Sequence, residues 1–174
     1  MDSNDLNRRL RYALSLDDAA VVDLFRLAEY PIDIDKISAW RLKESDEGYR
    51  VCPPEAPLAM LNGLIIQRRG VRDNDASSTS DNRTTSRIVP EPKQEFVDNN
   101  MVMKQIRIAL TLKTDEVHSL ILLGGGKLGK SEVNALFRKP LARNYRRCGD
   151  QVLRWFLAGL AKQRKADTIS PSQS

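Results

Sequence analysis

Apolar residues recur at spacings of three and four over four separate stretches of the first seventy positions. Leu6, Leu10, Ala13 and Leu14 predict a helix from Asn4 to Leu16, with Ser3 or Asn4 placed to cap it. Val21, Leu24, Phe25 and Ala28 predict a second, capped by Asp17 or Asp18 and ended at Tyr30-Pro31. A short third runs from about Lys36, with Asp35 as its cap and Ile37, Trp40 and Leu42 on its apolar side. An irregular loop from about Ser45 to Cys52 leads to a fourth, roughly Glu55 to Arg69, with Leu58, Leu61, Leu64 and Ile65 inward. Pro53, Pro54 and Pro57 push its start late.

The whole pattern returns 96 positions later without insertion or deletion. Tyr49-Arg50-Val51-Cys52 falls on Tyr145-Arg146-Arg147-Cys148, Arg11 on Arg107, Val21 on Val117, Leu24 on Leu120, and Gly63, Gln67 and Arg68 on Gly159, Gln163 and Arg164. Thr114 and Ser131 take the cap positions of the second and third helices, and Asp150 starts the last. Self-similarity at one register marks a duplicated structural unit. Each copy alone is small for a single core, so the copies are expected to pack on each other. The expected fold is all-α: a tandem duplication of a four-helix unit, packed as an intramolecular pseudo-twofold pair. Residues 1–70 form the first copy and 100–165 the second; 71–99 are a flexible linker rich in Ser, Thr, Asp and Asn, and 166–174 a disordered tail. Gly63 and Gly159, mid-helix in both copies, mark a close helix crossing.

The 174 residues are 41% hydrophobic and 29% charged, the composition of a soluble globular protein. No apolar run approaches membrane-spanning length and Met1 to Arg9 lack signal-peptide order, so the expected place is the cytosol, without membrane contact. The net charge of +5 is unevenly held. Asn4 to Arg69 carries ten Lys and Arg against eleven Asp and Glu, a net of −1; Asn100 to Lys165 carries fourteen against four, a net of +10. A surface of that sign attracts phosphate backbones or acidic proteins.

The segments Gly48 to Cys52, Leu61 to Ile65, Gln67 to Gly70, Leu136 to Pro140, Asn144 to Arg146 and Cys148 to Asp150 resemble the YehS-like family of bacterial proteins. The resemblance spans both copies and omits linker and tail. It implies a cytosolic bacterial protein built from a tandem domain of unknown function, and supplies no substrate, cofactor or catalytic residue.

Three signals bear on chemistry. Gly124-Gly125-Gly126-Lys127-Leu128-Gly129-Lys130-Ser131 matches the P-loop pattern, which binds phosphates when a strand precedes it and a helix follows. Here the aligned stretch Ala28 to Asp35 has no glycine and Leu120 to Leu123 are helically spaced, so the match reads as a turn between helices. The second signal is basic density: Lys127, Lys130, Arg138, Lys139, Arg143, Arg146 and Arg147, with Tyr145 for stacking, in a region with the outline of a helix-turn-helix. The third is the set of polar residues shared by the copies: Arg11/Arg107, Tyr49/Tyr145, Arg50/Arg146, Gln67/Gln163 and Arg68/Arg164. They read as paired anion pockets or, with more weight, as side chains bonding the carbonyls of an irregular loop. Cys52 and Cys148 read as buried apolar residues, and a lone His118, opposite Val22, serves neither as shared base nor in a zinc site. The expected function is non-enzymatic binding, with no cofactor or metal: DNA, RNA or a ribonucleoprotein through the basic second copy. The alternatives are an adaptor for an acidic protein and, more weakly, nucleotide binding at Gly124–Ser131.

Overall fold

A computed structural model describes residues 1–70 and 98–169. Among the described residues there are eight helices and no strand: α1 (Ser3–Leu14), α2 (Asp18–Leu27), α3 (Ile34–Ala39), α4 (Ala56–Arg69), α5 (Asn99–Ala109), α6 (Thr114–Leu123), α7 (Lys130–Leu136) and α8 (Asp150–Ile169). Adding 96 to the bounds of α2 gives those of α6, and the other pairs agree to within a few residues. The expected prolines act as read: α4 begins at Ala56, whereas α8 begins at Asp150, six residues after the loop residue Asn144 rather than eight after its counterpart Gly48.

Several boundaries differ from the sequence reading, each for a local reason. Asp2, not Ser3 or Asn4, caps α1 by accepting from the Asp5 amide at 2.7 Å. Asp17 caps α2 through the Ala20 amide at 2.8 Å. In the second copy the caps are Lys113 and Gly129, one and two residues before the expected caps Thr114 and Ser131. There Glu116 and Glu132 reach back to accept from the amides of Lys113 and Gly129 at 2.5 and 2.8 Å, the carboxylate half of a capping box. Likewise Asp33, not Asp35, precedes α3. The linker expected at 71–99 falls outside the described residues from 71 to 97, while Asp98 caps α5 and Asn99 is its first residue. Residues 166–169, expected in a frayed tail, continue α8, because no glycine or proline stops the helix before Pro171. Thr168 Oγ1 donates to the Arg164 carbonyl there at 2.9 Å.

The core is one cluster drawn from both copies. Leu6, Leu10, Phe25, Ile37, Met60 and Leu61 are buried with Met103, Ile106, Ile121, Leu136, Leu153 and Phe156. Within each copy the main contact is α2 on α4, or α6 on α8; between copies α1 lies on α8 and α5 on α4. Polar contacts tie the α1–α8 seam. Arg164 donates to the Ala13 carbonyl at 3.3 Å, Lys165 sits 5.3 Å over the Tyr12 ring, and the terminal ammonium pairs with Asp150.

The two mid-helix glycines mark the close crossing expected of them. A Cβ at Gly63 would lie 1.9 Å from the Leu24 carbonyl oxygen, and one at Gly159 would lie 1.9 Å from that of Leu120. Glycine in a helix costs about 1 kcal/mol against alanine, and the close approach of two backbones is what offsets it. Gly159→Ala is therefore expected to lower stability by about 3 kcal/mol through overpacking against backbone that cannot yield. Gly149→Ala, where a Cβ meets nothing within 4 Å, should leave it nearly unchanged. Urea denaturation of both variants checks this, and equal midpoints would refute it.

Candidate nucleic-acid interface

The basic segment of the second copy is held in place by a buried carboxamide. Asn100, 8% exposed, donates from Nδ2 to the carbonyls of Leu136 at 2.7 Å and Arg146 at 2.9 Å, and its Oδ1 accepts from the Cys148 amide at 2.8 Å. The first copy repeats the arrangement at the same offset. Asn4, 2% exposed, bonds the carbonyls of Trp40 and Arg50 at 3.1 and 2.9 Å and the Cys52 amide at 2.8 Å. One asparagine thus binds the end of the short helix to the far side of the loop that follows it. Buried backbone groups must be paired, and a carboxamide with two donors and one acceptor meets three of them at once.

This corrects the sequence reading of the loop, in which Tyr and Arg side chains were to bond the carbonyls. The Arg50 and Arg146 carbonyls are themselves the acceptors, while both guanidinium groups are exposed. Tyr49 and Tyr145 are half-buried; burial, with Asp98 nearby, raises the Tyr145 pKa. Arg146 pairs with Glu132, whose carboxyl is held below its usual range by the Gly129 amide and by Arg146. In the first copy Lys36 takes the place of Glu132, so Arg50 has no such partner and the pair does not form a symmetric anion pocket. Asn4 and Asn100 were legible only as a matched pair at the repeat offset.

The cations around α7 are all exposed, but they divide into two groups. Lys127 and Lys130 flank its start, where Lys130 pairs with Asp115 at 3.0 Å. Arg138, Lys139, Arg143, Arg146 and Arg147 surround its end, about 10 Å away along seven residues. Arg138 donates to the Arg143 carbonyl at 2.9 Å and Arg146 N to the Ala135 carbonyl at 3.1 Å, so the loop folds back on the helix. Lys127, Lys139, Arg143 and Arg147 make no ion pair among the described residues. At the tip between Lys139 and Arg143, Leu141 is fully exposed.

The glycine-rich match has the context of a turn. The run before it is the helix α6, which Gly124 ends. Gly125 takes φ +97°, and its counterpart Glu29 takes φ 52°, the left-handed conformation that closes a helix. Gly126 would meet the Ile121 and Trp155 side chains with any Cβ. The Gly129 amide is occupied by Glu132, a carboxylate where a phosphate would have to sit. His118 Nε2 lies 2.9 Å from the Leu128 carbonyl and pins the same turn. Seven-residue α7 does supply the short second element of the helix-turn-helix outline.

The remaining shared positions serve the frame. Arg11 and Arg107 donate from Nε to the carbonyls of Leu16 and Leu112 at 3.4 and 3.1 Å, closing the turn after the first helix of each copy. Arg164 spans the seam, while Arg68, Gln67 and Gln163 are exposed. Cys52 and Cys148 are free and buried, and burial pushes both thiols up to about 12. No helix of the described residues is long and apolar enough to cross a membrane.

Comparison with known proteins agrees with the duplicated pattern. The family model described as a protein of unknown function, DUF1456, matches residues 3–70 and again 99–165. The uncharacterized protein YehS of Escherichia coli strain K12 is 35% identical over 164 residues, covering 94% of this chain and 97% of the relative. The chain therefore belongs to the DUF1456 family. No solved structure matches it significantly.

Two outcomes follow from this geometry. Asn100→Ala strands two carbonyls and an amide in the interior and should cost about 3 kcal/mol in chemical denaturation, while Asn100→Asp should cost at least as much, since a carboxylate cannot donate. A fold that tolerates either without loss would deny the clamp. The buried thiols should be inert to a thiol reagent at pH 8 in the native protein and react fully once it is unfolded. Because burial raises their folded pKa above that of a free thiol, the folded state holds these protons more tightly. Their contribution to stability is full below pH 9 and is lost as pH rises toward 12. Denaturation midpoints of wild type and Cys52→Ala/Cys148→Ala measured from pH 8 to 11 should converge as pH rises.

Proposed function

We propose that this DUF1456 protein is a non-enzymatic, cytosolic binding protein that contacts nucleic acid, alone or in a ribonucleoprotein, through the exposed cations at the end of α7. In this reading the two copies form a pseudo-twofold pair. The contacts of α1 on α8 and α5 on α4 exchange under the repeat offset, which supports it.

The observation that carries the functional reading is a charge reversal on a common frame. In the first copy the clamped loop reads Lys43-Glu44-Ser45-Asp46-Glu47-Gly48; in the second it reads Lys139-Pro140-Leu141-Ala142-Arg143-Asn144. Three carboxylates have gone and an arginine has come, with the Asn clamp kept in both. The frame therefore does not require either charge, and the cations of the second loop are free to meet phosphates. The pairs at Lys130 and Arg146 are exposed and screened by solvent, so an incoming phosphate can displace them. The first copy then acts as structural partner and holds an acidic face.

An adaptor role without nucleic acid is the second reading, favoured by fully exposed Leu141 and by Val51, 73% exposed, on the corresponding loop of the first copy. The two are separated by titrating labelled DNA and RNA at two salt concentrations, beside a variant with Lys139, Arg143 and Arg147 changed to Ala. Arg138 and Arg146 stay, since they hold the loop. Affinity should fall with salt, and the variant should bind more weakly with a log–log salt slope smaller by about 3. If neither polymer binds at low salt, the nucleic-acid reading fails and the adaptor reading stands.

A further inference from the structure

The first copy is an internal control for a groove that the second copy leaves open. Around the first turn of copy one, the cations find partners within the protein. Arg11 and Arg41 converge on Asp18, the latter at 3.3 Å, and hold its carboxyl below the usual range, the Arg11 contact contributing most. Arg8 donates to the Leu42 carbonyl at 3.0 Å, and Lys165 covers the Tyr12 ring.

In copy two the corresponding groups are Arg107, Phe137, Thr114, Lys104 and Arg69. The carboxylate is gone: threonine stands where Asp18 stood. Arg107 keeps its Nε bond to the Leu112 carbonyl and lies 4.8 Å over the Phe137 ring, but makes no ion pair among the described residues. Lys104 and Arg69 make none either. These three cations, with Thr111 and the apolar sides of Ile108, Leu112 and Phe137, line a groove of about 310 Å³ along α5 and the turn after it, bordered by the ends of α4 and α7. A half-buried guanidinium without a counter-charge, beside two more cations, lacks the anion that the same frame supplies to its own twin.

The geometry points to this groove as a binding site for a small phosphate monoester: the dianion takes the place of the Asp18 carboxylate against Arg107, Lys104 and Arg69. Its organic part lies on Ile108, Leu112 and Phe137. A monoester fits better than a backbone diester, since it brings two charges rather than one to three cations. The volume is at the lower end for a small-molecule site, which limits the ligand to about the size of a mononucleotide. The site does not depend on the nucleic-acid reading, because its cations lie on α4 and α5 and it uses none of Lys139, Arg143 or Arg147.

The test restores the missing carboxylate. Thr114→Asp installs in copy two the residue that neutralises Arg11 in copy one, at the first position of α6, where an acidic side chain also suits the helix dipole. Calorimetric titration of the full chain is made with phenyl phosphate and a nucleoside 5′-monophosphate, with the unphosphorylated nucleoside as blank, and with an oligonucleotide lacking terminal phosphates. Wild type should bind at least one monoester and not the nucleoside. Thr114→Asp, checked to melt no lower than wild type, should weaken that binding at least tenfold, as should Arg107→Gln, while oligonucleotide binding stays as in wild type. The proposal is overturned if no monoester binds wild type, or if Thr114→Asp leaves binding unchanged. It is also overturned if Thr114→Asp removes oligonucleotide and monoester together, which would make the groove part of the nucleic-acid face.

Discussion

A buried asparagine under each loop is the constraint on which the surface of this molecule depends. The segment between the third and fourth helices of each copy has no regular hydrogen bonding of its own, yet it passes over the core and ends at a buried cysteine. Asn4 and Asn100 bond both sides of it, one carbonyl at the end of the short helix and a carbonyl and an amide two residues apart near the loop's end. With those three groups paired from beneath, the same clamp holds the loop in both copies, and the side-chain braces added to it differ: Asp46 accepts from the Lys43 amide in one, Arg138 donates to the Arg143 carbonyl in the other. That is why the loop can carry glutamates and aspartate in one copy and arginine, lysine and a bare leucine in the other.

A second constraint sets how closely the helices approach. Gly63 and Gly159 let α4 and α8 lie against the carbonyls of Leu24 and Leu120. The backbones touch there, which sets the spacing of α2 from α4 and of α6 from α8. Outside that contact α4 and α8 each turn another face to the opposite copy, α5 on one and α1 on the other. A unit too small to enclose a core on its own thereby shares one.

Duplication also explains where the copies differ. Positions engaged in the frame keep their residue: the two asparagines, the arginines that close the first turn, the glycines and the cysteines. Positions around them have changed sign or lost a partner. Asp18 with Arg41 became Thr114 with Phe137, and Lys36 became Glu132, each altering which cations are neutralised. Part of the second copy's positive charge, at Lys127, Lys139, Arg143 and Arg147, therefore sits on exposed side chains that make no ion pair among the described residues.

The helices, their order and the 96-residue offset were plain in the chain, because helical periodicity and turn residues act over a few neighbours and every apolar stripe was written twice. So was the close crossing, since a glycine kept mid-helix in both copies has no other local purpose, and the late start of α4, since proline acts on its own turn. The caps were misplaced by a residue or two because Glu116 and Glu132 reach back from inside their helices, a choice settled by side-chain geometry. What only the tertiary structure decided is which polar groups meet. Asn100 finds carbonyls 36 and 46 residues away, and Arg107 finds the Phe137 ring 30 residues on. Pairing of that kind is fixed by packing across the core, and no local pattern in the sequence encodes it.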